Sequence, residues 1–392
     1  MNDAEVDVAG VGIHPFGRFE DRTITDMGVM AVRAALAEAG VAKGGFQAAF
    51  CATAYGGVAS GHKVLSRIGI TGMPIVDVEA GCASGGAALM LGAGAIRSGA
   101  YDTVLVFGVE KMPKGMIRSS FFESWQEESG LGATPAYFAL RAQRLMQDSG
   151  VTKDHLAAVV VKNRRHGVHN PDAMFRSEVD AQAVLGSRVV CEPLHLWMLC
   201  TPNEGAAAVV LTRADHATAG SAGAPGAAQG RGRVRLGAAV LRSHLPGSVL
   251  NESTPMSGLA EESVPAPSTL AATAAYEEAG IGPEDLDVVE CQDTDAAREL
   301  LSSEELGLCP PGGAAALADD GATSLGGRLP VNPSGGLLSK GEPLGASALG
   351  QVVSLVHQLR GDAGHNQVEG ARVALAHTVG RGANASVVVL TR

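Results

Sequence analysis

Residues 78–86 read Val78-Glu79-Ala80-Gly81-Cys82-Ala83-Ser84-Gly85-Gly86. A short apolar run over 75–79 leads into this stretch, and an Ala- and Gly-rich run over 84–98 leads out of it. The pattern predicts a buried strand that turns into a helix at Cys82. A thiol there meets the positive end of the helix dipole and the open N–H groups of the first turn, which favours its thiolate. The small neighbours let a substrate carbonyl approach the backbone, where an N–H can bind an oxyanion. A cysteine so placed serves equally well as a buried structural residue, and spacing alone leaves the two readings even.

The same rhythm extends both ways. Residues 6–13 and 49–54 read as strands, 26–39 as a helix ended by Gly40, and 103–109 as a strand running into Glu110 and Lys111. Residues 112–200 break the pattern and gather Arg, His, Met and aromatics, among them Phe121, Phe122, Trp125, Tyr137, Phe138, Phe175 and Trp197. We read them as an insertion that covers a site. A strand returns at 206–211. Residues 214–233 are Ala- and Gly-rich without a hydrophobic period, as in a linker. The order then restarts, with strands at 234–240 and 288–291, helices at 269–279 and 346–359, and closing strands at 372–377 and 386–390. This is an α/β protein with covered sheets and two similar halves, 1–213 and 234–392.

Composition narrows the function. With 46% apolar and 18% charged residues, 392 residues build a large core, and aromatics at only 4% leave that core to Ala, Val and Leu. A formal net charge of -11 argues against a broad nucleic-acid footprint. The acidic N-terminus and short, Gly-broken apolar runs give neither a secretory leader nor a membrane span. Cys51, Cys82, Cys191, Cys200, Cys291 and Cys309 have no zinc-binding or disulfide-framework spacing, so we expect a cytoplasmic protein with reduced thiols and no metal.

Three further clusters bear chemistry. Asn332-Pro333-Ser334-Gly335-Gly336 and Ser339-Lys340-Gly341-Glu342-Pro343 form a loop around one carboxylate before a helix. Glu342 there is a candidate general base, a protonated acid if it is desolvated, or simply a helix-start acid. Glu290-Cys291-Gln292-Asp293-Thr294-Asp295 ends a strand, where α/β sites collect. Gln292 can position a water or carbonyl, and the cluster can equally cap the next helix. His377-Thr378-Val379-Gly380 ends another strand, and His377 is a candidate base or oxyanion donor, or a structural histidine.

Together these clusters resemble the thiolase superfamily, in particular the sterol-carrier-protein-type thiolases. Matching stretches include Cys82-Ala83-Ser84-Gly85, Gly108-Val109-Glu110-Lys111-Met112, Asn163-Arg164-Arg165-His166-Gly167, Asn170-Pro171, Asn332-Pro333-Ser334-Gly335-Gly336 and Ser339-Lys340-Gly341. The resemblance implies two duplicated βαβαβαββ halves in five layers (αβαβα), an inserted loop domain and a homodimer. It makes Cys82 the nucleophile, and it implies a CoA-type thioester as substrate with no bound cofactor. The departures are specific. The family's Gly-His-Pro is Gly341-Glu342-Pro343 here, and its His-Asp-Cys-Phe (or Asn-Glu-Ala-Phe) is Gln292-Asp293-Thr294-Asp295. The family's proton-shuttling cysteine is replaced at its two alternative positions by Thr294 and Thr378, while Gly380 remains as a backbone oxyanion donor. An anionic Glu342 repels an enolate, and a neutral one donates but cannot accept the thiol proton.

These features lead to an acyltransferase that forms an acyl-enzyme on Cys82 and passes the acyl group to an activated carbon or amine nucleophile. Glu342 or His377 handles the proton. Two alternatives stand beside it. One is a retro-aldolase acting on a CoA-thioester side chain with an OB-fold/zinc-ribbon partner, where Glu342 takes a β-hydroxyl proton. The other is a non-catalytic acyl-CoA-binding scaffold.

Overall fold

A strand covered on both faces needs apolar side chains on both, and the run from Ala206 to Leu211 supplies them. Ala206, Ala208 and Val210 face one core and Ala207, Val209 and Leu211 the other. This alternation recurs throughout the computed structural model, which describes residues 4–115, 124–128, 130, 132–216, 232–245, 264–380 and 384–392. Phe121, Phe122 and residues 217–231 of the expected linker lie outside the described residues.

The first half runs β1 (Val6–Gly17), α1 (Ile24–Ala39), β2 (Ala48–Ala52), α2 (Ser60–Arg67), β3 (Ile75–Val78), α3 (Ser84–Arg97) and β4 (Thr103–Lys111). The region that breaks the rhythm holds α4 (Ser124–Glu128), α5 (Thr134–Ser149), α6 (Lys153–Gly167), α7 (Ala181–Gly186), β5 (Val189–Cys191) and β6 (Leu194–His195). β7 (Glu204–Arg213) then closes the half. The second half runs β8 (Arg235–Ser243), α8 (Pro267–Ala279), β9 (Val288–Cys291), α9 (Ala296–Glu305), α10 (Ala314–Asp319), α11 (Gly336–Lys340), α12 (Leu344–Arg360), β10 (Val373–Gly380) and β11 (Asn384–Thr391).

The strand order is β3-β2-β4-β7-β1-β8-β11-β10-β9, and Val331 extends it by a parallel bridge to Val289. Reading outward from the β1–β8 junction, the two halves have the same order and the same pairing sense. Two antiparallel pairs are followed by parallel ones, β1-β7-β4-β2-β3 on one side and β8-β11-β10-β9-Val331 on the other. The duplication expected from the order of elements is therefore present in the hydrogen-bond ladder itself.

α3 and α12 are the equivalent helices of the two halves. They pack on each other and on strands of both halves, in a core holding Leu89, Ile96, Leu349, Val353 and Val388. α1 and α2 cover the outer face of the first half and α8 that of the second, which gives the five layers. The Ala- and Gly-rich sequence of α3 follows from this crowding. A Cβ on Gly86 would lie 2.1 Å from Ser386 Oγ, and one on Gly85 would lie 3.0 Å from the Ala348 methyl. A separate core unites α5, α6 and α7 with α9 and Leu338 of α11, so the inserted region rests on the second half.

Candidate active site

β3 ends at Val78, and a clamped turn carries the chain to Cys82. The Ala80 N–H donates to Ser84 Oγ (2.8 Å), the Ser84 hydroxyl donates to the Gly81 carbonyl (2.5 Å), and the Gly81 N–H donates to Glu79 Oε1 (2.7 Å). Gly81 has φ of 60°, a conformation that favours glycine. Cys82 immediately precedes Ala83, the N-cap of α3, whose methyl makes no capping hydrogen bond. The dipole of this helix therefore points its positive end at the thiol.

Glu342 comes from the other half and immediately precedes Pro343, the N-cap of α12. Its N–H donates to the Thr201 carbonyl (2.9 Å), and its own carbonyl accepts from Asn203 N–H (3.4 Å). Asn203 Nδ2 also donates to the Lys340 carbonyl (2.8 Å), so the loop is held from the 201–203 segment. Glu110 grips the far side. Its buried carboxylate accepts from the N–H groups of Ala54 (2.8 Å), Tyr55 (3.1 Å) and Gly345 (3.1 Å). Burial raises the Glu110 pKa, against the pull of these donors.

The Glu342 carboxylate is fixed at both oxygens. Gln292 Nε2 donates to Oε1 at 2.9 Å, and the Cys200 thiol donates to Oε2 at 3.3 Å. Gln292 is oriented in turn, because its Oε1 accepts the Val379 N–H at 2.6 Å. The Cys200 thiol is pushed well above its ordinary value, first by burial and then by the Glu342 charge.

A buried polar layer supports this loop. Asp293 accepts from the N–H groups of Leu337 (2.6 Å) and Leu338 (3.1 Å) at the start of α11, and from Asn163 Nδ2 (2.8 Å). Burial and the neighbouring Glu299 raise its pKa well above the usual carboxylate range. Glu299 pairs with Lys162 at 3.0 Å and accepts from Asn332 at 2.7 Å. Asp295 N-caps α9 by accepting the Arg298 N–H, so the 290–295 cluster both caps a helix and reaches the site.

Cys82, Cys200, Gln292 and Glu342 line one cavity of ≈ 590 Å³. Phe138, Phe175, Trp197, Leu199 and Leu344 give it an apolar wall, and most of these come from the inserted region. His377 does not join them. Strand alternation turns its ring away from the central core toward the α8–α9 side, where its Nε2 lies 3.0 Å from Ser268 Oγ. Burial, and then Arg298, lower its pKa well below the ordinary value. Thr378 faces the opposite way, 2.8 Å from Ser386 Oγ, while Thr294 lines the cavity. Gly380 is seated against the turn that carries Cys82, where a Cβ on it would lie 2.2 Å from the Ala80 carbonyl oxygen.

Sequence reasoning missed Cys200 and Arg164, both of which line the cavity. The sequence signal for Cys200 was slight, a thiol two residues before Pro202 at the edge of the inserted region. Among the described residues no group of three or more His, Cys, Asp or Glu could hold a metal, and no helix is long and apolar enough to cross a membrane.

A strand order repeated about a central helix pair, with a thiol at the head of one helix, defines a thiolase-type fold. The chain belongs to the thiolase family: the family profile "Thiolase, N-terminal domain" matches residues 6–215. A second, "Thiolase C-terminal domain-like", matches residues 255–392. Sterol carrier protein 2 of Oryctolagus cuniculus is 36% identical, over 98% of this chain and 71% of its own. Acetyl-CoA acetyltransferase of Methanothermobacter thermautotrophicus is 34% identical over 99% of this chain and 100% of its own. Benzoylsuccinyl-CoA thiolase subunit BbsB of Thauera aromatica is 35% identical over 98% and 96%. Among solved structures, the Ltp2-ChsH2(DUF35) aldolase superposes with a TM-score of 0.84 at 23% identity, covering 99% of this chain and 97% of that one. Human mitochondrial 3-ketoacyl-CoA thiolase superposes with a TM-score of 0.72 at 16% identity, covering 99% of each chain.

Proposed function

We propose that this protein is an acyltransferase that forms an acyl-enzyme on Cys82 from a CoA-type thioester. The observation that carries the reading is the single cavity lined by Cys82 from the head of α3 and by Glu342 and Gln292 from the second half. In this reaction Glu342 takes the Cys82 proton, and the sulfur attacks the thioester carbonyl. The CoA sulfur leaves with the electron pair of the broken C–S bond and collects that proton. An activated carbon or amine nucleophile then attacks the new thioester and releases Cys82. The Cys82 N–H and the Gly380 backbone serve the oxyanion. Gln292 acts as the positioning residue for Glu342, a role different from the water-holding one its sequence context suggests.

Relatives named for acetyl-CoA and benzoylsuccinyl-CoA support a CoA thioester as the substrate. The homodimer we propose would pair through β3, an edge strand on which Val76 is 43% exposed. The test is intact-mass measurement after incubation with a panel of acyl-CoAs. An adduct is expected in the native protein and absent in Cys82→Ala. Glu342→Gln should acylate ~100- to 10,000-fold more slowly, the usual contribution of a general base. An adduct that persists in Cys82→Ala, or none in the native protein, would overturn the assignment.

Anchoring of Glu342 by Gln292 and Cys200 favours a second reading, a carbon–carbon-cleaving lyase working with an OB-fold/zinc-ribbon partner. There Glu342 takes a β-hydroxyl proton, and Cys82→Ala retains activity.

A further inference from the structure

Arg164, near the end of α6, is 8% exposed and lines the same cavity as Cys82, yet the chemistry above does not use it. Its guanidinium lies 4.1 Å from the Phe175 ring centroid, and its Nε has no hydrogen-bond partner. The other buried arginines each have a carboxylate: Arg141 meets Asp295, Arg298 meets Glu305 and Arg360 meets Glu38. Among the described residues Arg164 has none. The acid that lines the cavity, Glu342, has its oxygens engaged by Gln292 and Cys200.

A buried, unpaired cation is costly, and an arriving anion relieves that cost. Burial lowers the Arg164 pKa to about 10, which leaves it charged at neutral pH. The planar fork of a guanidinium suits a carboxylate bound through two parallel hydrogen bonds. Arg188 lines the same cavity but is exposed, so it suits phosphates that remain in water. Arg164 is enclosed, next to Phe175 and on a cavity walled by Phe138 and Trp197, where the acyl chain of a thioester held at Cys82 would lie.

We propose that Arg164 binds a carboxylate on the acyl chain, so that the site takes thioesters whose acyl group carries a second, free carboxyl group. This rests on the reading of the cavity as an acyl-thioester site.

The test is calorimetric binding to the full chain carrying Cys82→Ala, which cannot be acylated. The probes are succinyl-, glutaryl- and adipyl-CoA against butyryl-, valeryl- and hexanoyl-CoA. At one chain length or more, the carboxylated member should bind about tenfold to a hundredfold tighter than its neutral counterpart, as a charge-assisted hydrogen bond gives. Adding Arg164→Met should erase that preference, and Arg164→Lys should keep part of it. Equal or weaker binding of every carboxylated member overturns the proposal, whether or not Arg164→Met folds. So does an equal loss for both series in Arg164→Met, which would assign Arg164 to the CoA phosphates. Absence of binding by all six overturns this proposal and the acyl-thioester reading together. An Arg164-dependent preference without any Cys82 adduct in the native protein would sink the acyl-enzyme alone.

Discussion

Acidification should unlock the scaffold behind the site through His166. This residue sits on α6 with its Nδ1 3.0 Å from the Asn332 carbonyl, while its Nε2 accepts the Leu325 N–H at 3.1 Å. Both contacts are satisfied by the neutral ring, and a proton on Nε2 would set a donor against a donor. Burial is the main cause that lowers its pKa from 6.5 to about 3, with Lys162 and Arg165 adding to it. An unfolded chain takes up this proton near pH 6.5, whereas the folded one resists until about pH 3. Between those values the unfolded state binds more protons, so stability falls as pH falls. At 1.36 kcal/mol per pKa unit, the loss from pH 6.5 to pH 4 is about 3 kcal/mol from this group. His166→Gln keeps a donor and an acceptor but cannot titrate. Urea unfolding from pH 7 to pH 4 should show a variant that is somewhat less stable at pH 7 and loses about 3 kcal/mol less on acidification. Other titrating groups act on both proteins and cancel. Parallel pH profiles for the two proteins would refute the reasoning.

Gly380→Ala should cost ~1–3 kcal/mol, because its new methyl meets the Ala80 backbone oxygen rather than a side chain that can move. It should also slow Cys82 acylation. A melting temperature and acylation rate like those of the native protein would show that the two loops do not depend on each other. Iodoacetamide at pH 8 should label Cys82 well before Cys200, whose thiol is held protonated by burial and by Glu342. Peptide mapping reads this order directly. Cys200→Ala removes one donor from Glu342 and should lower turnover about two- to tenfold while leaving the Cys82 adduct intact. Unchanged turnover would reduce Cys200 to a packing role.

The layered fold was legible because β7 and its neighbours are apolar on both faces, a pattern only a covered sheet requires. Cys82 was legible because small residues mark the turn between a strand and a helix. His377 was not, since β10 is apolar on both sides and its sequence gives no sign of which face meets the site. Cys200 escaped because its link to Glu342 spans 142 residues and arises from the pairing of Pro202 with Glu342. Gln292 was placed at the site, but its carbonyl is already spoken for by Val379. That constraint comes from the neighbouring strand and leaves no mark in the local sequence.

Cys82 and Glu342 each stand one residue ahead of the N-cap of an equivalent helix, α3 in one half and α12 in the other. They are the same address in two copies of one unit. The backbone presents two sockets to a shared cavity, and each socket is an N-terminal end where negative charge is welcome. Under the proposed chemistry, the handling of protons depends on which side chain is plugged into the second socket, while the frame around it stays as it is. A single codon at position 342 is enough to exchange an imidazole for a carboxylate without redrawing the fold. Divergence of chemistry within such a doubled architecture needs no new loop, only a change of occupant on one side of its internal symmetry axis.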